Sequence, residues 1–341
     1  MEKTRIKEID FLRAISTVGF IAIHVLSFNL ANQPNHFVWN YLHFVEVGFV
    51  FCSGYVLAAK YQNFANWHEI KNWYRKRLVR LLIPFYLYLL AHYAIWFLLP
   101  AYFSGIGLTK SFPFVLQSIL LVGGVNMGWL PLLFVQMAIL FPLFMIVRKK
   151  KYAFVFVAIF SLLTAGLFTI TPFFKPYYRL VMWIPWSFIL LLSILAYIKE
   201  SVDKKKIESI LRRLLVGLVA LVLFLVLFLF WNTKGSTNLT SHKYPPDLYF
   251  LFYGIGMSSL VSIIGYVSFF KNSLVKNIVT FVSKQAYLFF FIHFIVLDFV
   301  ITGVGRSYLP NSVFFQLAAV FLLSFLIVLF IERSKKASFF L

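Results

Sequence analysis

Leu214 to Trp231 reads LLVGLVALVLFLVLFLFW, eighteen residues without a charge. A helix apolar on every side has no face for water, and about 20 such residues at 1.5 Å each cross a hydrocarbon core of roughly 30 Å. Working outward, similar stretches recur along the chain, giving candidate spans at 10–31, 40–60, 78–99, 128–147, 152–171, 180–198, 213–231, 247–267, 284–303 and 312–331. Composition agrees: of 341 residues, 61% are hydrophobic, 20% aromatic and 13% charged. A soluble surface needs roughly a quarter charged residues, so lipid is the expected solvent. Backbone groups in lipid must be satisfied within their own segment, and so many separate apolar stretches suit helices better than a barrel. The expected fold is an all-α integral membrane protein of about ten transmembrane helices.

Charge sets the expected orientation. Lys and Arg total 32 against 11 acidic residues, a net charge of +21. In a soluble chain that balance would suggest nucleic acid; here the enrichment of cytoplasmic loops in Lys and Arg explains it, and no nucleic-acid partner is expected. With the N-terminus inside, 24 basic residues fall in inner segments and six in outer loops (Lys110, Lys175, Arg179, Lys234, Lys243 and Arg306), while Arg13 and Arg80 lie within spans. Both termini are therefore expected in the cytoplasm. The segment 112–124, FPFVLQSILLVGG, is apolar but only 13 residues long. Counting it as a span would invert the bias of every later loop, so it reads as a short re-entrant or interfacial helix on the outer side. Lys3, Arg5 and Lys7 before an apolar run imitate a signal peptide, but Arg13 and His24 interrupt the run and no small-residue cleavage site follows. The first helix is read as uncleaved and the chain, 1–341, as a single transmembrane domain. A lone cysteine, Cys52, excludes an internal disulfide framework and a Cys-based zinc site.

Ionisable side chains within a membrane cost about 3 kcal/mol each on insertion scales, so those that remain are functional candidates. The first span carries Asp10, Arg13 and His24. Arg13 and His24 are 11 residues apart, nearly three full turns, so they share one helix face about 16 Å apart along the axis. Arg13 lies near the cytoplasmic surface, where snorkelling is the plainer account. His24 is deeper and belongs to the side-chain type best suited to moving protons near neutral pH. Asp10 is one turn from Arg13 and is a candidate partner for it. In the second span, Glu46 and Ser53 are seven apart on one face, and Gly54 permits close approach of another backbone or a ligand. Cys52 reads as a small apolar filler, and His36 and His43 as interfacial residues. Arg77 and Arg80, three apart before Pro84, form either ordinary positive-inside anchoring or a grip for the phosphates of a cytosolic ligand. His293 sits mid-span, and Asp298, five residues on, does not share its face. No Walker loop, GxGxxG, HExxH or GxSxG is present.

Taken in order, these motifs resemble acyltransferase family 3, membrane acyltransferases that modify surface polysaccharides. The likeness rests on Ile9-Asp10-Phe11-Leu12-Arg13-Ala14-Ile15 with His24, then Phe49-Val50-Phe51-Cys52-Ser53-Gly54-Tyr55, then Arg77 and Arg80 with Pro84. Trp129-Leu130-Pro131, Gln136 to Pro142, and His293 extend it over essentially the whole chain. Among the stand-alone members the chain is most similar to the intercellular adhesion protein C group, associated with poly-N-acetylglucosamine in biofilms. The resemblance implies O-acyl transfer, from acetyl-CoA or another acyl-CoA, to a hydroxyl of an envelope glycan or lipid-linked saccharide. It implies a bacterial plasma membrane, contact with membrane lipid, a polysaccharide synthase as a partner and no metal. His24 and Arg13 would be catalytic, Asp10, Glu46, Ser53 and His293 would support them, and Arg77 and Arg80 would bind donor phosphate. The family usually has Ser and Tyr seven and three residues before the late histidine; here Ala286 and Phe290 stand there. The competing expectation is a glycan exporter or flippase that uses the same buried charges without acyl-transfer chemistry.

Overall fold

A computed structural model describes residues 7–64, 66–99, 111–202, 206–266, 272–302, 310 and 312–337, and these contain helices but no strand. The first half holds α1 (Lys7–Leu26), α2 (Gln33–Tyr41), α3 (Phe44–Lys60), α4 (Trp67–Leu98), α5 (Phe112–Ile119), α6 (Trp129–Val147) and α7 (Lys151–Ile170). The second half holds α8 (Tyr178–Val181), α9 (Trp183–Val202), α10 (Lys206–Lys234), α11 (Leu248–Ile264), α12 (Ser273–Leu297) and α13 (Val313–Ala337). Among the described residues, nine helical stretches are long and apolar enough to cross a membrane. The remaining expected span, 247–267, corresponds to α11, which is apolar but has 17 residues, or about 26 Å of helix.

The helix limits have local causes. Asn66, Asp247 and Asn272 each cap a helix, accepting from the backbone N–H of Glu69, Phe250 and Leu274 at 3.0, 3.1 and 2.9 Å. α4 runs for 32 residues and begins well before the expected position 78. The apolar window saw only the part that lipid requires, whereas the helix continues through polar residues on the near side. The first span ends at Leu26 rather than 31, and the separate α2 precedes α3, which starts at Phe44 rather than 40.

Burial sorts the helices. The α2–α3 stretch is 78% buried, against 17% for α7 and for α10, so α3 is central and the latter two face lipid. α1, α9 and α11 pack around α3; α12 and α13 pack on α1; α4 packs against α6 and α12. Contacts between distant segments define two ends of the bundle. At one, Glu200 accepts from Tyr55 and Arg213, Gln62 bonds to Tyr197, Arg148 donates to the Gln62 carbonyl, and Ser283 donates to Asp10. At the other, Asn29 meets Gln316, Asn40 accepts from Leu239 N–H, and Tyr253 donates to the Tyr41 carbonyl. This pairing matches the alternation expected of the loops, with the basic segments gathered at the first end. Lys3, Arg5, Lys110, Lys204, Lys205, Lys271 and Arg306, which entered the charge count, lie outside the described residues.

The 112–124 segment is not a span. α5 has eight residues, about 12 Å, and leads into a turn where Leu121 and Gly124 take φ of 63° and 65°. Irregular backbone near membrane depth must be satisfied by protein. Arg179 does this, donating to the carbonyls of Leu121, Gly123 and Val125 at 3.1, 2.5 and 3.3 Å. Ser118 holds the turn from the inside, accepting from Val125 N–H at 2.9 Å.

Gly54 is the tightest point of the α3–α9 contact, because a Cβ there would stand 2.1 Å from Ser193 Oγ and 2.8 Å from a Leu190 methyl. Gly54→Ala is expected to cost about 1–3 kcal/mol through overpacking. Ser193→Ala in the same chain should recover part of that loss, read as the thermal unfolding midpoint of the detergent-solubilised protein.

Candidate active site

A cavity of about 1010 Å³ opens between α1, α3, α4, α6 and α12 at the basic end. Its size is at the upper end of ordinary ligand pockets. Six cations line it (Arg13, Lys60, Lys76, Arg77, Arg80 and Lys284), and no carboxylate is among its lining residues. Helix geometry explains the convergence: Lys76, Arg77 and Arg80 fall within little more than one turn of α4, and Arg13 faces them from α1. Arg77 Nε and Trp73 Nε1 are buried without a hydrogen-bond partner among the described residues. Unmet donors in a cationic cleft suit an acceptor-rich anion, and guanidinium groups match phosphate oxygens in particular. Ser53 also lines the cavity, its hydroxyl donating to the Phe49 carbonyl at 2.9 Å.

Towards the other end of α1, His24 meets His293 of α12, with His24 Nδ1 3.1 Å from His293 Nε2. His293 is fully buried. The Phe289 carbonyl lies 3.0 Å from His293 Nδ1, and the Phe20 carbonyl 2.7 Å from His24 Nδ1. A carbonyl only accepts, so each Nδ1 carries the proton and His293 Nε2 presents a lone pair to His24. That assignment leaves the lone pair of His24 on Nε2, where it can receive a proton. Phe294 packs on both rings, at 4.4 Å from His24 and 4.2 Å from His293.

Phenylalanines fill the space between cavity and histidines. The Arg13 guanidinium stands 5.9 Å from the centre of the Phe49 ring, which lines the cavity. Phe49 touches Phe20 at 5.4 Å, Phe20 touches Phe290 at 5.5 Å, and Phe290 touches His293 at 5.9 Å. The late position where the family usually has Tyr is thus used here to continue this aromatic layer.

Glu46 lies in a third group. It is 1% exposed and pairs with Lys243, itself 8% exposed, and with His43 Nδ1 at 3.2 Å. Lys243 stands over Trp129 at 4.9 Å and over Tyr244 at 4.7 Å. His43 Nε2 and Glu46 Oε2 have no hydrogen-bond partner among the described residues.

The structure thus joins Arg13, Ser53, Arg77 and Arg80 around one cavity and His24 with His293 at a separate point. Asp10 accepts from Ser283 at 2.7 Å beside the basic end. His43 is buried rather than interfacial, and Lys243 and Arg179, counted as outer-loop charges, are buried too. Cys52 is buried against the Ile9 carbonyl, as a filler should be. Asp298 pairs with His92 of α4 at 3.2 Å, a residue the sequence did not single out. Lys243, Lys60, Lys76 and Lys284 were likewise missed, since a lysine near a span end carries no mark distinguishing cavity from loop. Among the described residues no cluster of His, Cys, Asp or Glu could hold a metal ion.

Removing one partner of a buried ion pair leaves the other charge unmet, at a cost of about 3–5 kcal/mol. Glu46→Gln should therefore destabilise the protein strongly, and Glu46→Gln with Lys243→Met should recover most of the loss. Chemical unfolding in detergent measures both.

The family model described as an acyltransferase domain matches residues 6–333. Comparison with curated proteins and with solved structures found no match. Nearly the whole chain falls under the family model, and the membrane-spanning helices are what the resemblance implied. The chain is a multi-pass membrane protein and belongs to acyltransferase family 3.

Proposed function

We propose that the protein transfers an acyl group, acetyl from acetyl-CoA, to a hydroxyl of an envelope glycan or lipid-linked saccharide at the bacterial plasma membrane. The observation that carries this reading is the placement of a carboxylate-free cavity with six cations at one end of α1 and a proton-accepting histidine at the other. On this reading the basic end faces the cytosol, and Arg77, Arg80 and their neighbouring lysines bind the donor's phosphates there. Arg13, facing them from α1, meets the thioester end and stabilises negative charge developing on the acyl oxygen.

His24 Nε2 takes the proton of the acceptor hydroxyl as its oxygen attacks the acyl carbon; the tetrahedral adduct then collapses, its C–S bond breaks, and the departing CoA thiolate takes up a proton as His24 returns to its neutral form. The resulting imidazolium keeps its Nδ1–H between the Phe20 carbonyl and His293 Nε2, so His293 orients the ring and shares the new charge. The Glu46–Lys243–His43 group, with Trp129 and Tyr244, supplies charge and aromatic faces on the acceptor side. The Phe20–Phe49–Phe290 layer separates the two halves, so the rings must part for donor and acceptor to meet, either directly or through a carrier group. A polysaccharide synthase is the partner that would supply the acceptor.

General-base contributions run to about 10²–10⁴-fold, so His24→Ala should lower acyl transfer by at least 100-fold while the protein inserts normally. Arg77→Gln with Arg80→Gln should instead raise the donor KM more than it lowers kcat. The assay is ester content of surface glycan in a deletion strain carrying each variant, with donor kinetics on purified protein. Glycan that persists without esters supports transfer. Loss of the glycan itself, or full rescue by His24→Ala, would replace this reading with export.

A further inference from the structure

A second cavity, of about 360 Å³, lies on the opposite side of α1 and α3, between α9, α10 and α11. Leu12 and Phe51 line it, whereas Arg13 and Ser53 line the larger one. The two cavities share a wall and no lining residue. Along α9 the lining runs from Ile189 to Lys199, ten residues or about 15 Å. That is half of a hydrocarbon core of roughly 30 Å, the depth of one leaflet.

The walls and the mouth differ in chemistry. Val47, Ile189, Leu192, Val216 and Ile255 give a mainly apolar slot, with Ser258, Ser259 and Ser262 of α11 along one side. Lys199, Arg212 and Arg213 stand at the basic end with a single carboxylate, Glu200. Glu200 is already committed: it accepts from Arg213 Nε and Nη2 at 2.9 and 2.7 Å, from Tyr55 at 2.7 Å and from Ser209 at 3.0 Å. The lining therefore holds three cations against one saturated carboxylate. Arg213 is 8% exposed, yet its Nη1 has no hydrogen-bond partner among the described residues. A buried guanidinium donor without a partner, at the mouth of an apolar slot, is costly unless something fills both.

We propose that this cavity binds an anionic phospholipid of the leaflet at the basic end. Its phosphate meets Arg213 Nη1, Arg212 and Lys199, and one acyl chain occupies the slot towards Ile189. A soluble anion would satisfy the mouth but leave the slot empty. A zwitterionic lipid would fill the slot but bring its own cation to a mouth already rich in positive charge. An anionic lipid does both, and it joins the α10–α11 pair to the α3–α9 core from within.

The test uses the full-length protein in nanodiscs of equal parts phosphatidylglycerol and phosphatidylcholine, extracted and weighed with retained lipid by native mass spectrometry. Phosphatidylglycerol should be retained about 30-fold over phosphatidylcholine, the factor expected for roughly 1 kcal/mol from each of two cations. Lys199→Gln with Arg212→Gln should bring that ratio near one. Ala196→Trp, which fills the slot, should abolish retention of both lipids; the charge variant, at the cavity mouth, tests the site independently if the Trp variant does not fold. Equal retention of the two lipids by the unmodified protein would overturn the proposal. So would undiminished retention in a folded Ala196→Trp protein, or displacement of phosphatidylglycerol by millimolar inorganic phosphate, which would mark a soluble-anion site instead.

Discussion

A charge held away from water must find its opposite, or a set of oriented dipoles, inside the protein. Much of this bundle follows from that requirement. Glu46 reaches Lys243 across 197 residues of chain, tying α3 to the loop before α11. Glu200 joins α9 to α10 through Arg213 and to α3 through Tyr55. Arg179 spends its guanidinium on three carbonyls of a turn that has no helix to satisfy them. Apolar packing between helices gains little in lipid, because the tails are as apolar as the side chains. Polar pairs of this kind therefore fix which helix lies beside which.

On the proposed reading, α1 is the element on which the chemistry depends. It touches α3, α11, α12 and α13, and it carries Arg13 towards one end and His24 towards the other. A rigid helix holds those two side chains at a set separation, so the cationic cavity and the histidine pair keep their spacing whatever the loops do. The phenylalanine layer lies between the cationic cavity and the histidine pair.

Span positions were legible in the sequence because hydropathy is a local signal, and the Arg13–His24 relation because helical period is local too. Arg77 and Arg80 were candidates from position and from family likeness, and both line the larger cavity. What stayed hidden was long-range. Nothing near Lys243 in sequence distinguishes it from an ordinary loop lysine, since its partner lies on another helix. His293 was a candidate by depth and by family likeness, but its hydrogen bond to His24 becomes visible only when α1 and α12 pack. Helix ends were misplaced for a related reason: α4 extends well past its apolar window because helices do not stop where lipid stops.

That extra length has an electrostatic consequence. α4 is about 48 Å long, and a core of roughly 30 Å cannot contain it, so its Trp67–Arg80 portion rises into the headgroup layer. Leaflets rich in acidic lipid carry a negative surface potential that repels a polyanion and thins its concentration near the surface. Six cations around one cleft invert that potential locally, making an island of attraction in a repelling plane. The mouth of the cavity then discriminates before any contact is made, admitting anions from solution against the field of the membrane that surrounds it.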